Sequence, residues 1–537
     1  MCDITRKNFD ELLPKMLELI KAADFIAIDS EFTSLHSDGY KPSLFDSGAE
    51  RYNKLRMSTS ELVPCQLGIS IFLANKNSPV KYESFTYNIY LCPEAFGPID
   101  PRFICQASSL KFLRRYNFDF NKFIYEGVSF LNEPQETLLR NHLLSGDMFA
   151  GIDRNVDEEE LQKCCSSITE WSVNAQVGEH VIIEIPVGLS EYVLIGEIRQ
   201  RFNDIWPSIH DEKVFVEKIK EEDRNKFESQ EKTKEVDEQN KILNRILGVT
   251  KIIRGMIQAK KPLVGHNCLM DLLLIYDKFY KPLPESYEDF KYEFHSMFPA
   301  VYDTKHISFT LRKQFRDKGV LEKTGLGDLY EALVSDVDSH RVLYCPFIEH
   351  GAGFEKYSDG HCPHEAGYDS YMAGVVFLQV CHLFSTQDVK SSQAEPVPFK
   401  KYLSRMKPFC NKINVIRAAV NSIALSQQDP ISIRPEWLYI KSKTSQKKLC
   451  SKELAGLLSS YGTVDIRLKG DYEGFVAASN LRCSKDILRA FTSHDWMKIS
   501  KYNKWIHCVY IRGLLKIGAI TSGVLVTSAL ISCLMDS

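Results

Sequence analysis

The sequence predicts an α/β fold with an inserted unit, and three observations carry that prediction. The run "FIAIDSEF" (25–32) is a short apolar stretch ending in acids, the pattern of a buried strand that reaches the end of a sheet. "PCQLGISIFLA" (64–74) and "YESFTYNIYLC" (82–92) are two more strand-like runs that read as neighbours. "KKPLVGHNCLMDLLLIYDKFY" (260–280) passes from a strand into a helix, and the apolar residues from Met372 onward read as a helix packed on a sheet. The texture changes between about 150 and 245, so one domain is interrupted and then resumes.

With 537 residues the chain is long enough for several domains. A net charge of −3 excludes a globally basic nucleic-acid binder, so any polyanion site must be local. Fifteen cysteines, an odd number without a C-x-x-C pair, and an N-terminus lacking an apolar signal core place the bulk of the chain in a reducing, cytosolic setting.

Residues 3–23 carry Phe9, Leu12, Leu13, Met16, Leu17 and Ile20 at helical spacing. The strand at 25–32 follows, then a polar loop over about 34–62 and the two neighbouring strands. Together residues 1–150 are the first part of the core. Residues 151–245 form the insert: "HVIIEIPVGLSEYVLIGEIRQRF" (180–202) suggests a small α+β unit, and the charged run 211–243 suggests a solvated helix. The core resumes over 246–385. A linker and helical segment spans 386–428, and 429–495 alternates strand-like and helix-like runs. A basic segment (496–516) precedes "IGAITSGVLVTSALISCL" (517–534), which holds no charge. Lys498, Lys501, Lys504, Arg512 and Lys516 supply the cationic cytosolic flank of a single-pass C-terminal transmembrane anchor.

The acids are where chemistry is expected. Asp29 and Glu31 stand two apart, so on a strand both carboxylates point to one face beside a core, where each repels the other and resists desolvation. Asp271 falls in the first turn of a helix that Asn267 can cap, among Leu269, Met270 and Leu272–Leu274. His364 precedes Asp369 by five residues. Asp303, in "VYDTKHI", also ends an apolar run and reads as a structural strand-end acid.

Taken singly, each of these has an ordinary structural explanation. In this order, Asp29/Glu31, Asp271 and His364/Asp369 resemble the exonuclease motifs of the DEDD superfamily, in its histidine subclass (DEDDh). "FIAIDSEFTSL", "RYNKLRMSTSELVPCQLGISIF", "FDFNKFIYEGVSFLN", "VGHNCLMDLLLIYDKFY" and "HEAGYDSYMAG" resemble the poly(A)-specific ribonuclease family, over most of residues 1–385. The hydrophobic tail makes the chain similar to the membrane-anchored branch that trims piRNA precursor 3′ ends.

That resemblance implies an RNase H-like core and a 3′→5′ exoribonuclease that releases 5′-mononucleotides. It also implies two Mg²⁺ ions held by Asp29, Glu31, Asp271 and Asp369, with His364 taking the proton of the attacking water. The substrate is then a single-stranded RNA 3′ end, and poly(A) tails of messenger RNA, or a catalytically silent RNA tether, are the alternatives. Relatives of the family pair through their nuclease domains, so a homodimer is a further expectation.

The accessory units look eroded. "EWLYIKS" (436–442) and "YEGFVAAS" (472–479) fit the first and third strands of an RRM-like domain, with Tyr439 and Phe475 as stacking positions, yet Tyr472–Glu473 stand where a basic residue and a Gly-aromatic pair are expected. The insert keeps Arg199 and Arg201 but lacks the Arg-x-x-x-His motif of the family's small nucleic-acid-binding domain. Such an enzyme is expected to receive RNA from an RNA-loaded Argonaute/PIWI-type partner and a membrane adaptor, at the mitochondrial outer membrane or endoplasmic reticulum.

Overall fold

A computed structural model describes residues 3–35, 40–144, 158–186, 191–210, 213–316, 321–334, 343–358, 362–387 and 395–503. They divide into two compact units, one from the chain up to residue 40 with 55–413, the other from 41–54 with the chain from 414 onward.

In chain order the elements begin β1 (Asp3–Ile4), α1 (Phe9–Ala22), β2 (Phe25–Phe32), α2 (Gly48–Thr59), β3 (Pro64–Asn75), β4 (Ser78–Tyr90), α3 (Ala107–Arg115), α4 (Phe120–Glu126) and α5 (Glu133–Leu144). The insert is α6 (Glu158–Asn174), β5 (His180–Ile183), α7 (Glu191–Arg201), β6 (Ile205–His210) and β7 (Lys213–Lys218). Then come α8 (Arg224–Leu247), α9 (Thr250–Ala259), β8 (Leu263–Gly265), α10 (Leu269–Phe279), α11 (Tyr287–Met297), β9 (Val301–Asp303), α12 (Thr304–Leu311), α13 (Leu326–Val334), β10 (Phe347–His350), α14 (Ala366–Thr386), α15 (Phe399–Met406) and β11 (Lys412–Asn414).

The core sheet runs β1-β4-β3-β2-β8-β9-β11, with β10 also on β4. β3 is antiparallel to β2 and β4, while β8 and β9 run parallel to β2. The order β4-β3-β2-β8-β9 with one reversed strand is RNase H-like. Helix α14 covers one face of this sheet. Nearly all its side chains are buried, which explains the mostly apolar run from Met372 onward that marked it in the sequence. Phe25 stacks on Phe72 at 4.6 Å and meets Phe377 of α14 edge-on at 5.4 Å.

Several expectations change. The first helix starts at Phe9, because Asp3–Ile4 add to β4 as a strand. The loop expected over 34–62 contains α2, begun by a reciprocal cap that the sequence spells as Ser47-x-x-Glu50: the Ser47 N–H donates to Glu50 Oε2 at 2.8 Å and the Glu50 N–H to Ser47 Oγ at 3.2 Å. The charged run at 211–243 opens as β7, whose Val214 and Val216 alternate into the insert's core before α8 begins. Residues 395–413, expected as linker, are core: Phe399 stacks on Phe25 at 5.4 Å, and β11 pairs with β9.

The second unit holds β12 (Ser422–Ala424), β13 (Leu438–Ser442), α16 (Ser451–Ser459), β14 (Val464–Leu468), β15 (Glu473–Ala478), α17 (Leu481–Ala490) and β16 (Met497–Lys501). Its antiparallel sheet, ordered β14-β15-β13-β16, has the βαββαβ connectivity of an RRM-like domain. Residues 41–54, expected in the core, belong to this unit instead. Among the described residues no helix is long and apolar enough to cross a membrane; the anchor expected at 517–534 lies outside them.

Candidate active site

β2 presents Asp29 and Glu31 at its C-terminal end, opposite Gly68 and Gln66 of β3. β8 ends at Gly265, and the chain turns through Asn267 at φ +58° into α10, which carries Asp271 in its first turn. Cys268, not Asn267, is the cap residue, and no side chain caps this helix; Asn267 instead donates its backbone N–H to Asp303 Oδ1 at 2.9 Å. Asp303 also accepts from the Lys305 and His306 N–H groups at the start of α12, which gives it the structural place the sequence suggested. Asp369 sits in the first turn of α14, and His364 precedes that helix at φ +63°.

The motifs converge. Glu31, His364 and Asp369 each offer a ligand atom within 4.8 Å of the others, and His364 Nδ1 lies 3.9 Å from Asp369 Oδ2. Asp29 and Asp271 lie close enough to this group for their charges to act on one another or on its members. Burial holds the Asp29 carboxyl well above the usual range, and the neighbouring Asp369, Asp271 and Glu31 charges push it further. Glu31 is raised by burial and then by Asp369 and Asp271. Burial pushes Asp271 up to about 7, against a hydrogen bond from Ser30. Burial likewise pushes Asp369 up to about 7.

Among the described residues no lysine or arginine is ion-paired with any of these four acids. Asp271 Oδ1 is buried with no hydrogen-bond partner. A buried, unpartnered carboxylate oxygen on an acid whose charge acts on both Asp29 and Glu31 is costly to desolvate and suits a hard divalent cation. The residues therefore fit the ions the resemblance implied.

His364 is differently placed. Its side chain is 39% exposed, and its ring lies 4.8 Å from Phe112 and 4.1 Å from Tyr116, centroid to centroid. Desolvation lowers its pKa, which keeps the imidazole neutral and able to accept a proton at neutral pH. Phe112 and Tyr116 were missed at the sequence level; no local pattern joins α3 to a histidine some 250 positions away.

The accessory positions are engaged by the chain itself. Tyr439 is buried and its hydroxyl donates to Glu473. Phe475 meets Tyr502 edge-on at 5.3 Å, and Phe45 packs on Trp437 at 5.1 Å, with the Arg467 guanidinium 4.6 Å over the Phe45 ring. Leu44, Phe45 and Ala477 thus form a small core with Trp437 and Phe475 on the sheet face where bases were expected to stack. In the insert, Arg199 lies 4.6 Å over the Trp206 ring and Arg201 pairs with Glu197 at 2.8 Å.

Residues 4–377 match the CAF1 family ribonuclease. The mouse (Mus musculus) poly(A)-specific ribonuclease PNLDC1 is 31% identical, with 97% of each chain covered. The Bombyx mori pre-piRNA 3′-exonuclease trimmer is 30% identical, again over 97% of each. The Xenopus laevis poly(A)-specific ribonuclease PARN is 28% identical over 89% of this chain and 77% of its own length.

Proposed function

Since the chain belongs to the CAF1 family of ribonucleases and is a 3′→5′ exoribonuclease, we propose that it trims single-stranded RNA with two Mg²⁺ ions, releasing 5′-mononucleotides. Asp29, Glu31, Asp271 and Asp369 would hold the ions. When bound, such ions lower the pKa of a water and neutralise charge on the departing 3′ oxygen. His364, neutral and partly open to solvent, accepts the proton of that water. The observation that carries this reading is the buried, unpartnered Asp271 Oδ1 among acids with which no lysine or arginine of the described residues pairs.

The test is direct: purified protein with a 5′-labelled oligoribonucleotide, with Mg²⁺ or with a chelator. One-nucleotide ladders in Mg²⁺ alone, lost in Asp29→Ala and Glu31→Ala, are expected. Magnesium-dependent trimming that survives in either variant refutes the assignment.

The finer reading is maturation of piRNA precursors at a membrane surface, supported by end-to-end similarity to the Bombyx trimmer and by the uncharged tail at 517–534. In it an RNA-loaded Argonaute/PIWI-type protein and a membrane adaptor deliver the substrate, the tail holds the enzyme on the mitochondrial outer membrane or endoplasmic reticulum, and the enzyme pairs as a homodimer. The names of the PNLDC1 and PARN relatives favour a second reading, removal of poly(A) tails. Comparing oligo(A) with mixed-sequence RNA of equal length separates the two.

A further inference from the structure

Three residues of the strand pair β3–β4 stand at the level of the four acids without being among the acidic or histidine positions of the exonuclease motifs. Gln66 is the register partner of Glu31, Gly68 of Asp29, and Asn88 of Gly68. Paired residues of antiparallel strands project to the same face, so all five aim at the face that α14 covers.

Each of the three touches the N-terminus of α14. Gln66, 1% exposed, accepts the Ala366 N–H at 2.9 Å through Oε1. Asn88, fully buried, accepts the Gly367 N–H at 3.0 Å through Oδ1, while its Nδ2 donates to Glu365 Oε1 at 2.9 Å and Asp3 Oδ1 at 3.3 Å. These two amides satisfy the first free N–H groups of the helix, the work a capping side chain usually does, and Glu365 makes no such cap of its own. At Gly68 a Cβ would lie 1.8 Å from the Ala366 carbonyl oxygen, so only glycine admits the helix backbone this close to the sheet. Further along, Ser70 Oγ and Ser370 Oγ are 2.8 Å apart.

The other side of Glu365 is also held. Its carboxylate pairs with Lys356 and accepts from Tyr357 Oη at 2.9 Å. His364 and Asp369 flank this clasp, one residue before and four after. Their positions relative to Asp29 and Glu31 therefore depend on where β3 and β4 seat the helix.

We infer that Gln66, Gly68 and Asn88 are positioning residues that lock the first turn of α14 against β3 and β4, setting the distance at which Asp369 and His364 meet Asp29 and Glu31. The inference rests on the metal-dependent reading above. They act through the backbone of residues 366 and 367. A hydrogen-bonded seat of this kind tunes metal affinity as well as stability.

The experiment uses the full chain and two readouts, heat of binding of Mn²⁺ alone and the Mg²⁺ concentration giving half-maximal trimming. Asn88→Ala removes the Asn88 hydrogen bonds to Gly367 and Glu365, and Gln66→Met keeps side-chain length while removing the acceptor of the Ala366 N–H. Ile71→Val, a buried change on the same strand away from α14's first turn, controls for simple destabilisation. Asn88→Ala and Gln66→Met are expected to bind Mn²⁺ roughly 10–100-fold more weakly and to need correspondingly more Mg²⁺, while Ile71→Val keeps wild-type values. Should Asn88→Ala fail to fold, Gln66→Met decides alone. Wild-type Mn²⁺ affinity in a folded variant overturns the seat. A wild-type protein that takes up no Mn²⁺ overturns the metal reading and this inference with it.

Discussion

Asp303 Oδ1 accepts the Asn267 backbone N–H at 2.9 Å, tying the end of β9 to the turn that launches Asp271. Because the same oxygen accepts from Lys305 and His306, one buried carboxylate both starts α12 and fixes the entry to α10. Asp303→Ala should cost about 1–3 kcal/mol, the loss of a cap plus a buried N–H left without its acceptor. Trimming should weaken without vanishing. Chemical denaturation beside a trimming assay checks this; complete loss of activity in a folded variant would make Asp303 a ligand instead.

Asp271 behaves in the opposite way. Its charge is buried beside like charges, so Asp271→Asn should abolish trimming and yet stabilise the metal-free protein by about 1 kcal/mol at pH 8, a rise in melting temperature of about 1 °C. Calorimetric scans in chelator decide it. A melting temperature that falls would mean that the carboxylate is stabilised by contacts rather than strained.

The metal-free protein should lose stability as pH rises. Asp271 and Asp369 titrate at about 7 when folded, against roughly 3.9 for an unfolded aspartate. Below pH 4 both states are protonated and there is no penalty. Between about 4 and 7 the unfolded chain ionises while these two groups resist, so folding becomes less favourable, and the contribution of this pair levels above 7. Melting curves in chelator across that window should decline, and Mg²⁺ at pH 7.5 should restore the loss; a flat profile contradicts the shared-charge site.

Tyr116 and Phe112 keep water from one side of His364. Tyr116→Ala should resolvate the imidazole and raise its pKa toward 6.5, moving the acid limb of the kcat–pH profile to higher pH. An acid limb that stays in place while kcat falls would assign Tyr116 a role in substrate contact only.

In the second unit, Phe45→Ala removes the ring that packs on Trp437 and beneath Arg467, at a cost near 3 kcal/mol for that unit. Unfolding followed by tryptophan fluorescence should report it. Nucleic-acid binding by the wild-type sheet face through Tyr439 and Phe475 should be absent, and crosslinking of RNA to either residue would contradict the closed face.

The acids were legible from local spacing. Asp29 and Glu31 at an apolar strand's end, Asp271 after "GHN" and the His364/Asp369 pair need only strand and helix periodicity and a recognised order. The RRM-like connectivity was likewise visible as alternating runs. Elements that local pattern could not place were those whose partners are distant. Asp3–Ile4 are too short to signal a strand, and 395–413 is polar enough to pass for a linker until Phe399 meets Phe25.

Sequence alone determined the acidic inventory and the strands and helices that carry it, because strand alternation and helix-turn position are set by neighbours along the chain. The tertiary structure decided which surfaces those elements meet. Only there does Gly68 admit the Ala366 carbonyl, Tyr116 shelter His364 and Phe45 close the sheet that Tyr439 and Phe475 share, since each depends on contacts between residues far apart in sequence.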